Sequence, residues 1–284
     1  MTHRAWRPTT LDVHGHRGAR GLAPESTYAS FAAALTAGVT GVELDVRLTA
    51  DGHVVVWHDP TLEPRKCLFT GADLAGARVG ELTLDQLATV DIGSRTLTAY
   101  PQQQASPGAR ILTLTQLLEA FVPDHPDLWW TVEVKCDPTD PREVATRREL
   151  TEKVVTAINT GGIADRAFVH SFDWAVLALA EEVDPTLLRS ATVEEDTWFD
   201  GSPWLAEVSY AACSGDLPAA ALAAGAQVLS PWYQWCTADS VAHAHDLGLG
   251  VLPWTVNEPE DLRAVIATGV DGLVTDYPDR LPLS

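Results

Sequence analysis

The feature that most restricts the fold is a repeated alternation. Short β-rich segments take turns with Ala-rich helical ones along most of the 284 residues. Strand patterns fall at 11–16, 41–46, 129–135, 166–171, 186–191, 226–230, 249–255 and 271–275. Helical periodicity between them covers 25–37, 115–121, 143–160, 174–182, 219–224, 238–247 and 259–268. Gly38, Gly161, Gly225, Gly248 and Gly269 stand at the helix ends, where a left-handed C-cap requires glycine. Strands separated by helices pair in parallel through crossovers, and eight such units close into a TIM (β/α)₈ barrel. The expectation is a single barrel domain over 1–284, with 192–225, which contains the loop-like run 196–203, as its least regular crossover.

One segment breaks the alternation. The apolar run 54–57 follows the second strand after only a short connection, too short for a parallel crossover. That connection, Thr49-Ala50-Asp51-Gly52, carries the Asp-Gly signal of a tight hairpin. A two-residue turn at Asp51-Gly52 places His58 opposite Asp45. The stretch 60–110 then reads as an insertion without a β/α period, a small capping subdomain over the barrel mouth.

The strand ends carry chemistry. Alternation puts Glu43 and Asp45 on one face of the second strand, and Glu133 and Lys135 on one face of the third. Barrel active sites lie at the C-terminal ends of the strands, so three carboxylates and an ammonium converge there. Three carboxylates share a site only when a cation offsets their repulsion. A hard divalent ion with oxygen ligands, Mg²⁺ or Ca²⁺, suits Glu43, Asp45 and Glu133. Pairing with Lys135 and Arg17 alone would leave net negative charge buried. His16 and His58 flank this cluster as a general acid and a general base, in an order the residues do not fix. Arg17 offers a fork for a phosphate oxygen, and Lys135 a point charge. Gly18 and Gly21 permit close backbone approach. The 24–27 run, Pro-Glu-Ser-Thr, opens the first helix as a cap. His14, two residues before His16, belongs one layer deeper, as core or as support behind the site. Trp254, at the end of the seventh strand, is a candidate wall of the substrate pocket. His243 and His245 on a helix, and His3 and His125 in loops, are expected to be solvated.

Charge limits the partners. Asp and Glu number 39 against 19 Lys and Arg, a formal net charge of −20. Such a surface repels nucleic acid and anionic membranes. The 1–10 segment holds two arginines but no apolar stretch, so it does not read as a secretory signal. Cys67, Cys136, Cys213 and Cys236 lack zinc-ligand spacing and are expected as free thiols. A cytoplasmic protein without stable membrane association is the expectation.

These residues together resemble the glycerophosphodiester phosphodiesterases. The resemblance rests on His16-Arg17-Gly18, the 24–27 run, Glu43-Leu44-Asp45, Asp51-Gly52, His58-Asp59, Glu133-Val134-Lys135, Ser171-Phe172, the 254–257 run Trp-Thr-Val-Asn, Asp271-Gly272 and the 275–278 run Thr-Asp-Tyr-Pro. It implies a TIM barrel with a small insertion after the second strand. It also implies one divalent metal on Glu43, Asp45 and Glu133, His16 and His58 as acid and base, and Arg17 and Lys135 on the phosphate. The implied reaction converts a small-molecule glycerophosphodiester to glycerol 3-phosphate and an alcohol. Three stretches depart from the family pattern. Ser26 stands where Asn is usual, the run around Thr113 differs from Ile-Pro-Thr-Leu, and 63–68 differs from Asp-Arg-Thr-Thr. Two rivals stay open: a lysophospholipase D-type enzyme acting on lipids, and a non-catalytic barrel binding a phosphorylated metabolite. The sequence is silent on oligomeric state.

Overall fold

The structure, a computed structural model, describes residues 6–281. In chain order the elements are β1 (Asp12–Gly15), α1 (Tyr28–Thr36), β2 (Gly41–Leu48), β3 (Val54–Val56), β4 (Leu68–Phe69), α2 (Leu84–Leu87), β5 (Val90–Asp91), α3 (Leu114–Phe121), β6 (Trp129–Val134) and α4 (Pro141–Thr160). There follow β7 (Ala167–Ser171), α5 (Trp174–Val183), β8 (Leu188–Val193), α6 (Leu217–Ala223), β9 (Val228–Pro231), α7 (Ala238–Asp246), β10 (Gly250–Val251), α8 (Pro259–Ala267) and β11 (Gly272–Thr275).

Eight strands run parallel in the order β10-β9-β8-β7-β6-β2-β1-β11. The ends of this sheet meet through single backbone bonds, Asp271 N to Val251 O at 3.1 Å and Val274 N to Pro253 O at 2.9 Å. The result is the (β/α)₈ barrel expected from the alternation, with its seventh strand reduced to two paired residues. The main core lies between the strands and the helices, around residues such as Phe31, Trp130, Ile158 and Trp174. The barrel interior is filled at its lower end by Trp6, Phe168, Leu188, Val228, Leu252 and Val274. His14 belongs to this layer. It is fully buried, stacks on Phe168 at 6.1 Å, and bonds Thr131 Oγ1 through Nδ1 at 2.8 Å. Burial pushes its pKa down to about 3, so the ring packs as a neutral group.

Local caps account for the helix starts. Thr113 and Thr237 form capping boxes with Gln116 and Ser240 at the heads of α3 and α7. Helix α1 starts later than its periodicity suggests. Thr27 is its N-cap, accepting from Ser30 N, and Glu25 lies in the preceding loop. Helix α4 ends on Gly161 with φ −74°, and the left-handed residue is instead the next one, Gly162, at φ +69°. The irregular crossover after β8 holds one short 3₁₀ turn at Pro203–Leu205 before α6.

The hairpin exists, with its register one residue away from expectation. β3 pairs antiparallel with β2, Val56 against Val46, and Trp57 N reaches Asp45 O at 2.9 Å. The closing pair is Thr49 and His53, so the turn has three residues, with Gly52 at φ +79° as its left-handed member. Trp57, not His58, therefore stands opposite Asp45. Beyond the hairpin, the chain up to α3 builds a small core of its own. Val55, Trp57, Leu62, Cys67, Val79, Leu82, Leu87, Val90, Ile92 and Ile111 bury one another there. β4 and β5 pair as a two-stranded ribbon within this segment.

All four cysteines are free. No helix among the described residues is long and apolar enough to cross a membrane. His243 bonds Asp216 at 2.8 Å, and His245 bonds Asp271 at 2.9 Å with a side chain only a quarter exposed. His245 is thus a tie between α7 and the start of β11 rather than a solvated residue. His3 lies outside the described residues.

Candidate active site

Parallel registry assembles the acidic cluster. Asp45 on β2 lies beside Glu133 on β6, and Glu43 shares the face of Asp45 two residues earlier. Carboxylate oxygens of Glu43, Asp45 and Glu133 fall within 4.8 Å of one another, and all three residues are buried. Burial raises Glu43 well above the ordinary carboxylate value, and Asp45 and Glu133 push it further. Glu133 is also raised, chiefly by burial. Asp45 goes the other way: Arg17, His58 and Lys135 outweigh its burial and hold it ionised. Arg17 Nε sits 3.0 Å from Asp45 Oδ2, and Lys135 Nζ sits 2.6 Å from Glu133 Oε1 and 3.6 Å from Asp45 Oδ1.

The β1–α1 turn brings in His16 and Arg17. Arg17 adopts φ +51°, a sparsely populated conformation for a side chain of its size, and one that recurs at functional sites. In that conformation its N–H donates to Glu43 Oε2 at 3.0 Å. Gly18, at φ +84°, could carry no side chain, because a Cβ there would lie 2.5 Å from the Ser30 backbone. Ser26 is also left-handed, at φ +60°, a conformation asparagine adopts more readily.

Both histidines sit in His–Asp pairs. His16 Nδ1 meets Asp276 Oδ1 at 2.7 Å, and its Nε2 lies 3.7 Å from Glu43 Oε2. His58 Nδ1 meets Asp59 Oδ1 at 2.8 Å. A carboxylate at Nδ1 fixes the tautomer with its proton there, leaving Nε2 to face the cavity. Burial lowers both rings, His16 to about 4 with help from Arg20, and His58 to about 3 with help from Lys135. Both are neutral near pH 7.

His16, Arg17, Glu43, His58, Glu133 and Lys135 line one cavity of about 450 Å³ at the barrel mouth. Phe172, Trp204 and Trp254 form one wall, and Trp254 meets Phe172 edge-to-face at 5.2 Å. Trp254 Nε1 donates to Ser230 O, so its polar atom serves the scaffold. Pro60 and Arg78 reach the cavity from the segment after the hairpin. His170 lies deeper, between Ser190 Oγ at 2.9 Å and Thr192 Oγ1 at 2.7 Å.

The structure thus brings His16, Arg17, Glu43, Asp45, His58, Glu133, Lys135 and Trp254 together, leaves His14 in the layer below, and adds six residues that sequence reasoning left aside: Arg20, Glu25, Asp59, Lys66, Asn257 and Asp276. Asp276 is gripped by Arg20 through Nε at 2.9 Å and Nη2 at 3.1 Å, and by Asn257 at 2.8 Å. Asp59 takes Lys66 Nζ at 2.6 Å. Glu25 accepts from Arg17 Nη1 at 3.1 Å and Lys66 Nζ at 2.8 Å. Asp59 and Asp276 were visible as neighbours in motif blocks, but their pairing with ring nitrogens needs the third dimension. Nothing in the local pattern of Arg20 or Lys66 marks either one.

Glu25 sets an acid limit to stability. Burial alone would raise it, but Arg17, Lys66 and Arg20 prevail and bring it from 4.5 to about 2. A carboxyl depressed in the folded state stabilises above its unfolded value and loses that contribution as pH falls through the folded one. The melting temperature is therefore expected to drop between pH 4.5 and about 2. Glu25→Gln should weaken the fold near neutrality and flatten that acid slope. A wild-type slope in Glu25→Gln would show that the pairing carries no such linkage.

The donor set fits a divalent cation. It is all oxygen and hard, Glu43 Oε1 is buried without a hydrogen-bond partner, and Asp45 has ion pairs but no side-chain hydrogen bond.

Comparison with known proteins agrees with this geometry. Residues 16–280 match the model of the glycerophosphoryl diester phosphodiesterase family. A glycerophosphodiester phosphodiesterase of Caldanaerobacter subterraneus subsp. tengcongensis is 29% identical over 95% of this chain and 95% of its own. A solved structure from Silicibacter pomeroyi DSS-3, named for the same family, is 34% identical with a TM-score of 0.82, covering 97% of this chain and 93% of its own. An Oleispira antarctica phosphodiesterase, solved with its product sn-glycerol-3-phosphate, shares the fold at 22% identity and a TM-score of 0.73, covering 96% and 95%. Through the match over 16–280, this chain belongs to the glycerophosphoryl diester phosphodiesterase family.

Proposed function

We propose that the protein hydrolyses small glycerophosphodiesters to glycerol 3-phosphate and an alcohol, using Mg²⁺ or Ca²⁺ held by Glu43, Asp45 and Glu133. The observation that carries this reading is the pair of His–Asp units flanking one acidic triad in a single cavity. When bound, the cation supplies Lewis-acid polarisation of a phosphate oxygen and balances the triad.

The remaining chemistry belongs to side chains. Asp276 and Asp59 keep His16 and His58 oriented with Nε2 toward the substrate. One imidazole accepts the proton of the nucleophile, either water or the 2-hydroxyl of the glycerol. The other gives a proton to the leaving alkoxide. Both rings are neutral in the free protein, which suits the base. An entering phosphodiester anion favours the imidazolium form and so equips the acid. Arg17 and Lys135 add positive charge where the phosphoryl oxygens gather charge in the transition state. Trp254 and Phe172 exclude water from one side of the cavity. Arg17 is already engaged by Asp45 and Glu25, so its orientation is set before substrate arrives.

The test is a panel of glycerophosphodiesters incubated with the protein and Mg²⁺ or Ca²⁺, with coupled detection of glycerol 3-phosphate. Stoichiometric glycerol 3-phosphate is expected. Release of a phosphorylated alcohol instead, or tight binding without product, would overturn the reading.

A further inference from the structure

Lys66 lies in the segment after the hairpin, in a stretch that departs from the family pattern, and its side chain is only 9% exposed. An ammonium is buried at such a place only when carboxylates surround it. Two do: Asp59 Oδ2 at 2.6 Å and Glu25 Oε1 at 2.8 Å. The Trp57 ring lies 5.8 Å away on another side.

Asp59 is the carboxylate that meets His58 Nδ1. The two are chain neighbours just past the last β3 residue, where the ladder no longer holds the backbone. Arg47 Nε fixes the His58 carbonyl at 2.7 Å, which anchors the main chain but not the imidazole. The Asp59 side chain needs its own restraint, and Lys66 supplies it. His16 shows the same construction with other parts: its carboxylate, Asp276, is held by Arg20. Each His–Asp pair therefore has one cation behind it. Both cations lean on Glu25, Lys66 at 2.8 Å and Arg20 at 3.8 Å. The difference is origin. Arg20 belongs to the β1–α1 loop of the barrel, whereas Lys66 comes from the segment with the separate small core.

We propose that Lys66 is a positioning residue: clamped between Asp59 and Glu25, it fixes the carboxylate that orients His58, so that docking of its segment sets the acid–base geometry. This rests on the role of His58 proposed above.

The test compares K66M, K66Q, H58A and K66M/H58A on glycerophosphocholine with saturating Mg²⁺, each variant checked for folding by its melting curve. K66M is expected to lower kcat by about 10–100-fold, the usual loss when a partner behind a functional histidine is removed, with KM within about 3-fold of wild type. K66Q keeps a donor for Asp59 but no charge, and should lose less. In the H58A background K66M should cost no further kcat, because a residue acting only through His58 has nothing left to position. Folded K66M with wild-type kcat overturns the proposal, as does K66Q losing as much as K66M or more. So does a K66M loss that multiplies in full onto H58A, which marks a merely structural residue. H58A with wild-type turnover would remove the reading of His58 and this proposal with it. An inactive H58A beside a fully active K66M would remove the role of Lys66 alone.

Discussion

Alanine at His58 is expected to lower kcat by about 10²–10⁴-fold, and alanine at His16 by a similar factor, as for loss of a general acid or base. The two variants should differ in stability. The His58 side chain is 30% exposed and bonds one carboxylate that keeps Lys66 as its partner. His58→Ala should therefore melt near wild type. His16 is only 11% exposed, and its removal leaves a hole beside Asp276. His16→Ala should lose stability as well as turnover, and His16→Asn, which fills more of the space, should separate the two losses. Turnover and melting curves on the same preparations check this. In the proposed mechanism the pair acts as one unit, so the double variant should fall little below the worse single one. Near-wild-type turnover in either single variant would sink the assignment.

Chelation is expected to have an equally large effect. EDTA should abolish turnover, and Mg²⁺ or Ca²⁺ should restore it. Without a cation Glu43 and Glu133 are raised because burial, and then the neighbouring carboxylates, Asp45 beside both and Glu133 beside Glu43, oppose their charges. Glu43→Gln removes one charge without changing shape. It should raise the melting temperature in EDTA while destroying activity, a trade of function against stability. It should also reduce the gain in melting temperature that the wild-type protein shows on adding cation. An EDTA-resistant enzyme, or a Glu43→Gln protein that melts below wild type in EDTA, would refute the cation site.

The barrel was legible because periodicity is a local property repeated many times. Alternating β and Ala-rich segments, with glycine near each helix end, leave few other topologies. The triad was legible for the same reason: strand alternation puts Glu43 and Asp45 on one face, and parallel registry sets Asp45 beside Glu133. Registry in the hairpin was less secure. A two-residue turn at Asp51-Gly52 and the observed three-residue turn differ by one residue in length, yet they exchange the residue opposite Asp45. The start of α1 misled for a different reason. Glu25 has good helical character, but its carboxylate is drawn away by Arg17 and Lys66, and Thr27 is the better cap. Partners such as Asp276, 260 residues from His16, depend on barrel closure, which no window of sequence contains.

The separate small core beyond the hairpin has a consequence for how the protein ages and fails. Trp57 belongs to that core, and His58 follows it directly. A partial opening that loosens this core, with the barrel intact, would withdraw the imidazole proposed above as an acid or a base. Such subglobal openings draw on fewer buried contacts than global unfolding and so occur more often. Activity is then governed by a different reservoir of free energy from the one a melting curve reports. Heat, denaturant or a protease would silence the enzyme while amide hydrogens in the barrel strands remained protected from exchange.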